Sequence, residues 1–264
     1  MLPRVNIIKC NEADYMLFST DDSISNVLYR TGQWEDYLLS ISRVFLQGLN
    51  KPLVLDIGAN LGAYSIPLAK GLRDVGGSVM AFEPQRIVYY QLCGNAVLNR
   101  LDNFIAINKA VGDYDGDIEM PEINYEENIN IGAFSLDKSY RENLNIERFM
   151  ENKKTSVPIL KLDSLKLEES PALIKIDVEG FELNVLKGSE NFLEKHSYPA
   201  IMFEAWDLEW FQNDKEKLLK FIDYLGYEIS LNIKSEFVAQ HPNNSIRIDF
   251  SRSENGTINM IKVK

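Results

Sequence analysis

The sequence predicts an α/β protein with a Rossmann-like, doubly wound, mostly parallel sheet and antiparallel hairpins at its C-terminal edge. Two observations lead to this prediction. Short apolar segments alternate with helical segments from residue 53 onward, which is the pattern of repeated βαβ units. A glycine-rich turn within Val54–Ser65 also joins the first apolar segment to a helix, and the next strand ends on the carboxylate of Glu83.

Residues 1–50 precede this alternation and are predicted to be a lead-in segment that packs beside the ligand pocket. Val5–Ile8 and Tyr15–Phe18 have the length and composition of short strands. Asp36–Leu49 has apolar residues at helical spacing. The domain itself is expected to span residues 51–264.

The alternating elements follow in order. Leu53–Ile57 is a continuous apolar run, as expected of a strand that is buried on both faces. The predicted helices are Ala63–Leu72, Gln85–Asn99, Phe181–Leu193 and Lys215–Leu225. The further predicted strands are Val79–Phe82, Phe104–Ile107, Leu173–Ile176 and Ala200–Phe203, with C-terminal hairpin strands at Tyr227–Ile233, Phe237–Gln240, Ile246–Phe250 and Thr257–Val263.

Residues 113–172 interrupt the alternation. They are rich in Asp, Glu and Asn, and a structureless loop of this length is uncommon in a compact domain. We predict an insertion that contains a hairpin and a short helix at Asp137–Glu151 and covers the substrate. A partly mobile acidic loop is the alternative.

The composition excludes several classes of partner. The chain has 28 Lys and Arg against 39 Asp and Glu, a formal charge of −11, so it repels nucleic-acid phosphates and anionic membranes. Two cysteines are too few for a disulfide framework or a zinc cluster. We see neither a signal peptide nor an apolar run of the ~20 residues that a membrane span requires, and we expect a cytoplasmic protein.

The residues of the first turn discriminate between possible cofactors. The turn has the pattern Asp56-x-Gly58-x-Asn60-x-Gly62, and an acidic residue at the strand tip repels a pyrophosphate but suits an amino group or a cation. Glu83, which lies 21 residues after Gly62, can accept hydrogen bonds from a ribose diol. S-adenosylmethionine combines an unphosphorylated ribose with a sulfonium and an amino group, and we therefore predict it as the cofactor.

Six segments together resemble the FkbM family of class I S-adenosylmethionine-dependent methyltransferases. They are V-L-D-I-G-A-N-L-G-A-Y-S (54–65), A-F-E-P (81–84), N-A-V-L-N (95–99), K-A-V-G-D (109–113), L-D-S-L (162–165) and I-K-I-D-V-E-G-F-E-L-N-V-L-K-G (174–188). G-Q-W-E at 32–35 also resembles that family's entry segment. The resemblance covers roughly residues 20–220 and matches neither the insertion nor the C-terminal third, which we expect to select the substrate.

The resemblance implies a role for each matching residue. The four residues of the first turn would line the methionine moiety, and Glu83 would hold the ribose hydroxyls. Ala110 and Val111 would lie against the adenine, and Glu35 would approach the cofactor from the lead-in segment. Asp177 would lie at the tip of the fourth strand, facing the methyl group and the acceptor.

The base for the acceptor is a second question. A hydroxyl acceptor must lose a proton, and the two histidines, His196 and His241, are expected to lie away from the strand tips and in a solvated loop, respectively. Asp177 and Glu204 each follow one of two neighbouring strands and are the predicted catalytic carboxylates. Glu179 also follows the first of these strands, and for it an interpretation as a helix N-terminal carboxylate, stabilised by the helix dipole, is at least as good as a catalytic role. A Mg²⁺ or Ca²⁺ held by such carboxylates is an alternative that we do not predict.

The acceptor is expected to be a hydroxyl of a small molecule or a glycan, although the sequence leaves N-methylation open. Trp34 and Trp206 are candidates for an acceptor pocket, whereas Trp210 and Phe211 are read as ordinary packing residues. A nicotinamide-dependent oxidoreductase explains the sheet and Glu83 but not the acidic first turn. A non-catalytic binding module on the same fold is the third alternative.

Overall fold

A computed structural model describes residues 4–19, 21–124, 130–253 and 256–263. None of the described helices is long and apolar enough to cross a membrane. The helices are α1 (Ser23–Thr31), α2 (Asp36–Leu46), α3 (Ser65–Leu72), α4 (Arg86–Leu98), α5 (Lys138–Asn143), α6 (Glu182–Lys187), α7 (Glu190–Lys195) and α8 (Gln212–Tyr224). The strands are β1 (Val5–Lys9), β2 (Asp14–Phe18), β3 (Leu53–Ile57), β4 (Ser78–Phe82), β5 (Phe104–Ile107), β6 (Ala110–Val111), β7 (Gly116–Ile123), β8 (Met150–Leu160), β9 (Pro171–Ile176), β10 (Ala200–Glu204), β11 (Glu228–Ile233), β12 (Glu236–Gln240), β13 (Ile248–Arg252) and β14 (Ile258–Lys262).

Seven strands form the central sheet in the order β11-β12-β10-β9-β3-β4-β5. Strands β3, β4, β5, β9 and β10 are parallel, and β12 and β11 add an antiparallel edge. The chain runs outward from β3 to β5 on one side and from β9 to β10 on the other, and then passes to β11 at the edge before it returns to β12. The strand order therefore reverses between β3 and β9, where ligands bind in open α/β sheets. The predicted fold class is confirmed.

Strand β3 lies at the centre of the sheet and is buried along its whole length. Val54 belongs to a core shared with α2 and α3, whereas Leu55 and Ile57 belong to a core shared with α6, α7 and α8. Helices thus cover both faces of the sheet, and this explains why β3 is a continuous apolar run rather than an alternating one.

The lead-in segment contains a hairpin and two helices. The β1–β2 hairpin docks on α4, where the side-chain oxygen of Asn95 accepts a hydrogen bond from the Met16 backbone N–H at 2.6 Å. Helix α1 was not predicted, although both of its caps are visible in the sequence. Asp22 accepts a hydrogen bond from the Ser25 N–H at its start, and Gly32 takes a left-handed φ of 72° at its end.

The insertion contains the predicted hairpin, formed by β7 and β8, and β6 extends it by pairing in parallel with β8. Residues 125–129 of the insertion lie outside the described residues. The predicted helix at Asp137–Glu151 is wrong in extent, because α5 ends at Asn143. Asn145 takes a left-handed φ of 57°, which a continuing α-helix does not allow, and β8 begins at Met150.

One prediction about the C-terminal half is also wrong. Phe181–Leu193 is not one helix but two, α6 and α7, which separate at Gly188. A Cβ at Gly188 would lie 1.9 Å from the carbonyl oxygen of Gly112, so α6 ends where two backbones make close contact. Of the two C-terminal hairpins, only β11–β12 joins the central sheet, whereas β13 and β14 pair with each other.

Candidate active site

A cavity of about 280 Å³ opens at the carboxyl ends of the central strands, next to the point where the strand order reverses. It is lined by residues from the lead-in segment, the first turn, the insertion and the ends of β4, β9, β10 and β12. Nine of the ten sequence-predicted site residues line it: Glu35, Asp56, Gly58, Asn60, Glu83, Ala110, Val111, Asp177 and Glu204.

The first turn is held between two strands. The N–H groups of Gly58 and Ala59 donate to the Phe82 carbonyl oxygen at 3.0 and 2.9 Å, and the Asp177 N–H donates to the Ile57 carbonyl oxygen at 2.9 Å. Gly58 has φ 86°, and a Cβ there would lie 1.8 Å from the Asp177 carbonyl oxygen. Only glycine allows this close approach.

Gly62, the tenth predicted residue, is not among the residues that line the cavity. It has φ 90°, and a Cβ there would lie 2.6 Å from Ile66 and 2.8 Å from Leu92. Gly62 thus lies below the turn, where the side chains of Ile66 on α3 and Leu92 on α4 leave no room for a Cβ.

Asp56 and Glu35 line the cavity and have buried carboxylate oxygens without hydrogen-bond partners among the described residues. Asp56 is fully buried, and neither of its carboxylate oxygens has a hydrogen-bond partner of good geometry among the described residues, although the Ser65 hydroxyl lies close enough to lower its pKa. One oxygen of Glu35 likewise has no partner in the described part of the chain. Burial raises the pKa of Asp56 to about 6 and that of Glu35 to about 7, in spite of nearby Lys175. Unpartnered buried carboxylates are costly, so these groups could receive donors or positive charge from a ligand.

Glu83 directly follows β4, on the other side of the turn, and is only 5% exposed. Its two oxygens accept hydrogen bonds from the backbone N–H groups of Asn60 (3.0 Å) and Gln85 (2.8 Å). Burial raises the pKa of Glu83 to about 7, although these hydrogen bonds act in the opposite direction. Each oxygen keeps a lone pair with which it could accept a ligand hydroxyl. Ala110 and Val111, both buried, form the adjacent apolar wall.

Lys175 and Asp177 form the ion pair of the site. The Lys175 ammonium donates to one Asp177 oxygen at 2.7 Å and lies 5.4 Å from the centre of the Tyr64 ring. Burial alone would lower the pKa of Lys175, but Asp177, Asp56 and Glu35 raise it well above its ordinary value. Lys175 is therefore a fixed cation. The second Asp177 oxygen has no hydrogen bond among the described residues and remains available at the cavity.

Two further glutamates, Glu204 and Glu236, lie on the side of Asp177 that faces away from the first turn. Glu204 accepts hydrogen bonds from the Trp206 indole N–H (2.9 Å) and the Ser235 hydroxyl (3.1 Å). Glu236 lies directly opposite Glu204 in the β10–β12 pair and also lines the cavity. Sequence analysis missed Glu236, because it stands at the start of a C-terminal hairpin strand and only the antiparallel pairing brings it to the site.

Glu179 lies in the turn before α6 with a left-handed φ of 54° and lines the cavity. Burial, and then the charges of Asp177 and Glu204, raise its pKa well above the ordinary value. Glu182 takes the place at the start of the helix instead, and its carboxylate accepts hydrogen bonds from the N–H groups of Val178 and Gly180. The reading of Glu179 as the helix N-terminal carboxylate is therefore wrong.

Residues 130–136 of the insertion line the cavity and form a cover over it. The Asn130 side-chain amide donates to the Ser23 hydroxyl at 3.0 Å, and the Gln85 amide donates to the Ile131 carbonyl oxygen at 3.1 Å. The Tyr140 ring of α5 lies 5.6 Å from the Trp210 ring and anchors the insertion. Trp34 and Trp206 line the cavity, whereas Trp210 and Phe211 do not and serve as packing residues, as expected.

Neither histidine reaches the site. His196 contacts Ser170 at 2.9 Å, away from the strand tips, as expected. The expectation of a solvated loop for His241 is wrong, because its ring is buried and stacks on Tyr198 with ring centres 3.8 Å apart. Across the described residues, no group of three or more His, Cys, Asp or Glu side chains is arranged to hold a metal ion.

A doubly wound sheet with an acidic, glycine-turn cavity at its switch point is the architecture of a class I methyltransferase domain. The family model described as "Methyltransferase FkbM domain" matches residues 56–229, which is more than half of the chain. The chain belongs to this family and is a methyltransferase of the type that uses S-adenosylmethionine. Membership excludes the oxidoreductase and the non-catalytic module as alternatives.

Known proteins resemble the chain to differing degrees. It is 26% identical over 193 residues to "Methyltransferase sdnD" from Sordaria araneosa, covering 65% of this chain and 73% of that protein. The crystal structure of a methyltransferase FkbM from Methylobacillus flagellatus KT has 18% identity and a TM-score of 0.47, covering 72% of this chain but only 44% of that one. A precorrin-6y C5,15-methyltransferase from Geobacter metallireducens has 13% identity and a TM-score of 0.44, covering 85% and 82% of the two chains. Similarities this distant bear on neither the site residues nor the acceptor.

Proposed function

We propose that this protein transfers the methyl group of S-adenosylmethionine to a hydroxyl group of a small molecule or a glycan, in the cytoplasm. The observation that supports the proposal best is a row of carboxylates along one edge of the sheet. Glu83 follows β4, Asp56 lies in β3, Asp177 follows β9 and Glu204 ends β10, and all four line one cavity.

The residues at the β3–β4 end of the cavity fit this cofactor. Glu83 has the lone pairs to accept both ribose hydroxyls. The unpartnered carboxylates of Asp56 and Glu35 suit the ammonium and sulfonium charges. The apolar wall at Ala110 and Val111 suits an adenine ring. We assign cofactor binding to these residues, and to Gly58 and Asn60 through their backbone.

When bound, the cofactor supplies an activated methyl carbon, so the acceptor oxygen gains a bond to carbon while the sulfonium becomes a thioether and the hydroxyl proton is lost. Asp177 is assigned to take that proton, because Lys175 holds one of its oxygens and leaves the other available. Both oxygens of Glu204 already accept hydrogen bonds, so we assign Glu204 to acceptor orientation. We assign the cover formed by residues 130–136 to limiting the access of water to the site.

The first test is a thermal-shift titration with S-adenosylmethionine, S-adenosylhomocysteine and NAD in parallel. A ligand at 100 times its dissociation constant stabilises the folded state by about 2.7 kcal/mol, which is about 5–10 °C for a domain of this size. A shift with the first two ligands and none with NAD supports the cofactor assignment. A shift with NAD alone overturns it.

The second test is methyl transfer from labelled cofactor to a panel of hydroxylated compounds with and without EDTA, followed by mass spectrometry of the product. The proposal expects an ether product and unchanged activity in EDTA, because Asp177 itself accepts the proton. Methylation found only on nitrogen would contradict the choice of a hydroxyl.

A further inference from the structure

The end of the cavity that lies farthest from Glu83 is lined by a pair of glutamates. Glu204 and Glu236 are directly opposite each other in the antiparallel β10–β12 pair. Adjacent strands are about 4.8 Å apart, and β12 is the third strand from β3, so Glu236 lies about 14 Å along the sheet from the first turn. The pair therefore lies on the far side of Asp177 from Asp56 and Glu83, away from the residues assigned to the ribose and the adenine.

The carboxyl group of Glu236 has no hydrogen-bond or ion-pair partner among the described residues, although the residue is only 7% exposed and lines the cavity. The side chains of directly opposed residues in an antiparallel pair lie on the same face with Cβ atoms about 5 Å apart, and two like charges there destabilise the sheet. Without a ligand the two carboxyls avoid this repulsion by holding protons, and a ligand cation bound between them would allow both to ionise.

The groups around Glu236 do not supply such a cation. The acidic neighbours are Glu35 before α2, Asp177 after β9 and Glu204 on β10. Lys175 is the cation that faces them, and its ammonium is already bonded to Asp177. Burial, followed by the charge of Asp177, raises the pKa of Glu204 to about 8 and that of Glu236 to about 9. A bound cation would favour the ionised form of both carboxyls.

We propose that the acceptor is an amino alcohol, such as an amino sugar, whose protonated amino group binds between Glu204 and Glu236 while its hydroxyl faces Asp177. An ammonium group has three N–H donors and can donate to both glutamates at once. Trp206 lies beside the pair and donates its indole N–H to Glu204, which orients that carboxylate. The inference rests on the proposed methyl transfer and names its substrate class.

The test compares two probes with the same ring, trans-2-aminocyclohexanol and trans-1,2-cyclohexanediol, on the protein saturated with S-adenosylhomocysteine. Binding is followed by calorimetry at pH 7 and by tryptophan fluorescence. Charge-assisted hydrogen bonds predict that the amino alcohol binds about 10- to 150-fold more tightly than the diol. Glu236→Gln keeps the side-chain volume and removes the charge, and it should abolish most of this preference. Glu204→Gln should do the same.

Glu228→Gln is the matched control, because Glu228 lies on neighbouring β11 with its side chain exposed and paired with Arg247. It should leave the preference for the amine intact. Equal binding of the two probes, an amine preference that survives Glu236→Gln, or no amine binding at millimolar concentration would each overturn the inference. S-adenosylhomocysteine binding is measured separately. If the protein does not bind S-adenosylhomocysteine, the proposed function itself fails. If it binds S-adenosylhomocysteine but shows no preference for the amine, only this inference is refuted.

Discussion

The replacement Glu83→Ala tests the ribose assignment most directly. Glu83 is buried at the end of β4, and its two oxygens already accept backbone N–H groups from Asn60 and Gln85. The variant therefore removes two kinds of interaction, those with the cofactor ribose and those that hold the first turn. An informative experiment must separate them.

The expected magnitude follows from the charge of the acceptor group. Hydrogen bonds to a charged group contribute about 1.5–3 kcal/mol, so losing the ribose contact should weaken S-adenosylhomocysteine binding about 10- to 150-fold. The two backbone hydrogen bonds go to the same carboxylate, so their loss separately lowers the free energy of unfolding by about 1.5–3 kcal/mol each. This second loss appears in denaturation of the ligand-free variant.

The assay is isothermal titration calorimetry with S-adenosylhomocysteine and with its 2′,3′-dideoxy analogue. Ribose recognition predicts a large loss for the first ligand and almost none for the analogue, since the analogue lacks the hydroxyls that Glu83 binds. Glu119→Ala, at an exposed position on β7, should leave both affinities unchanged. Equal losses for the two ligands would refute the reasoning and assign Glu83 to the turn alone.

The remaining predictions concern catalysis, the first turn and pH. Asp177→Asn should lower kcat far more than cofactor affinity; an equal fall in both, measured by steady-state kinetics and calorimetry, would place Asp177 in binding rather than catalysis. Gly58→Ala should lower the free energy of unfolding, measured in urea, by about 1–3 kcal/mol, because the new Cβ would meet the Asp177 carbonyl oxygen. The control is Gly71→Ala on α3, which should not destabilise the protein because a Cβ there meets nothing within 4 Å. The ligand-free protein should lose stability as pH rises from about 5 to 9, measured as its melting temperature. In the folded protein the pKa of Glu204 is raised to about 8 and that of Glu236 to about 9, from an ordinary value of 4.5. The stabilisation of the folded state by these two carboxyls is therefore complete below the unfolded pKa, and it is lost as the pH rises through the folded pKa. A melting temperature that rises over this range, or one that Glu236→Gln leaves unchanged, would contradict the assignment.

The sequence specified those parts of the site that depend on neighbouring residues in the chain. The apolar run of β3, the glycine turn after it and the carboxylate at Glu83 follow one another closely, and their order is enough to predict a βαβ unit with a ligand at its first turn. The carboxyl ends of parallel strands meet at one edge of a sheet, so Asp177 and Glu204 could be placed there as well.

Interactions between distant segments decided the rest. Glu236 reaches the cavity only because β12 pairs antiparallel with β10, and His241 is buried at the other end of that strand for the same reason. The break between α6 and α7 follows from the contact of Gly188 with Gly112, 76 residues earlier in the chain. The spacing of apolar residues in the sequence indicates which face of a helix or strand is buried. It does not indicate which distant segment packs against that face, and strand pairing and backbone contacts depend on that segment. The sequence by itself thus determined the glycine turn and the carboxylates at the ends of the parallel strands, and the tertiary structure determined that Glu236 joins them in the cavity.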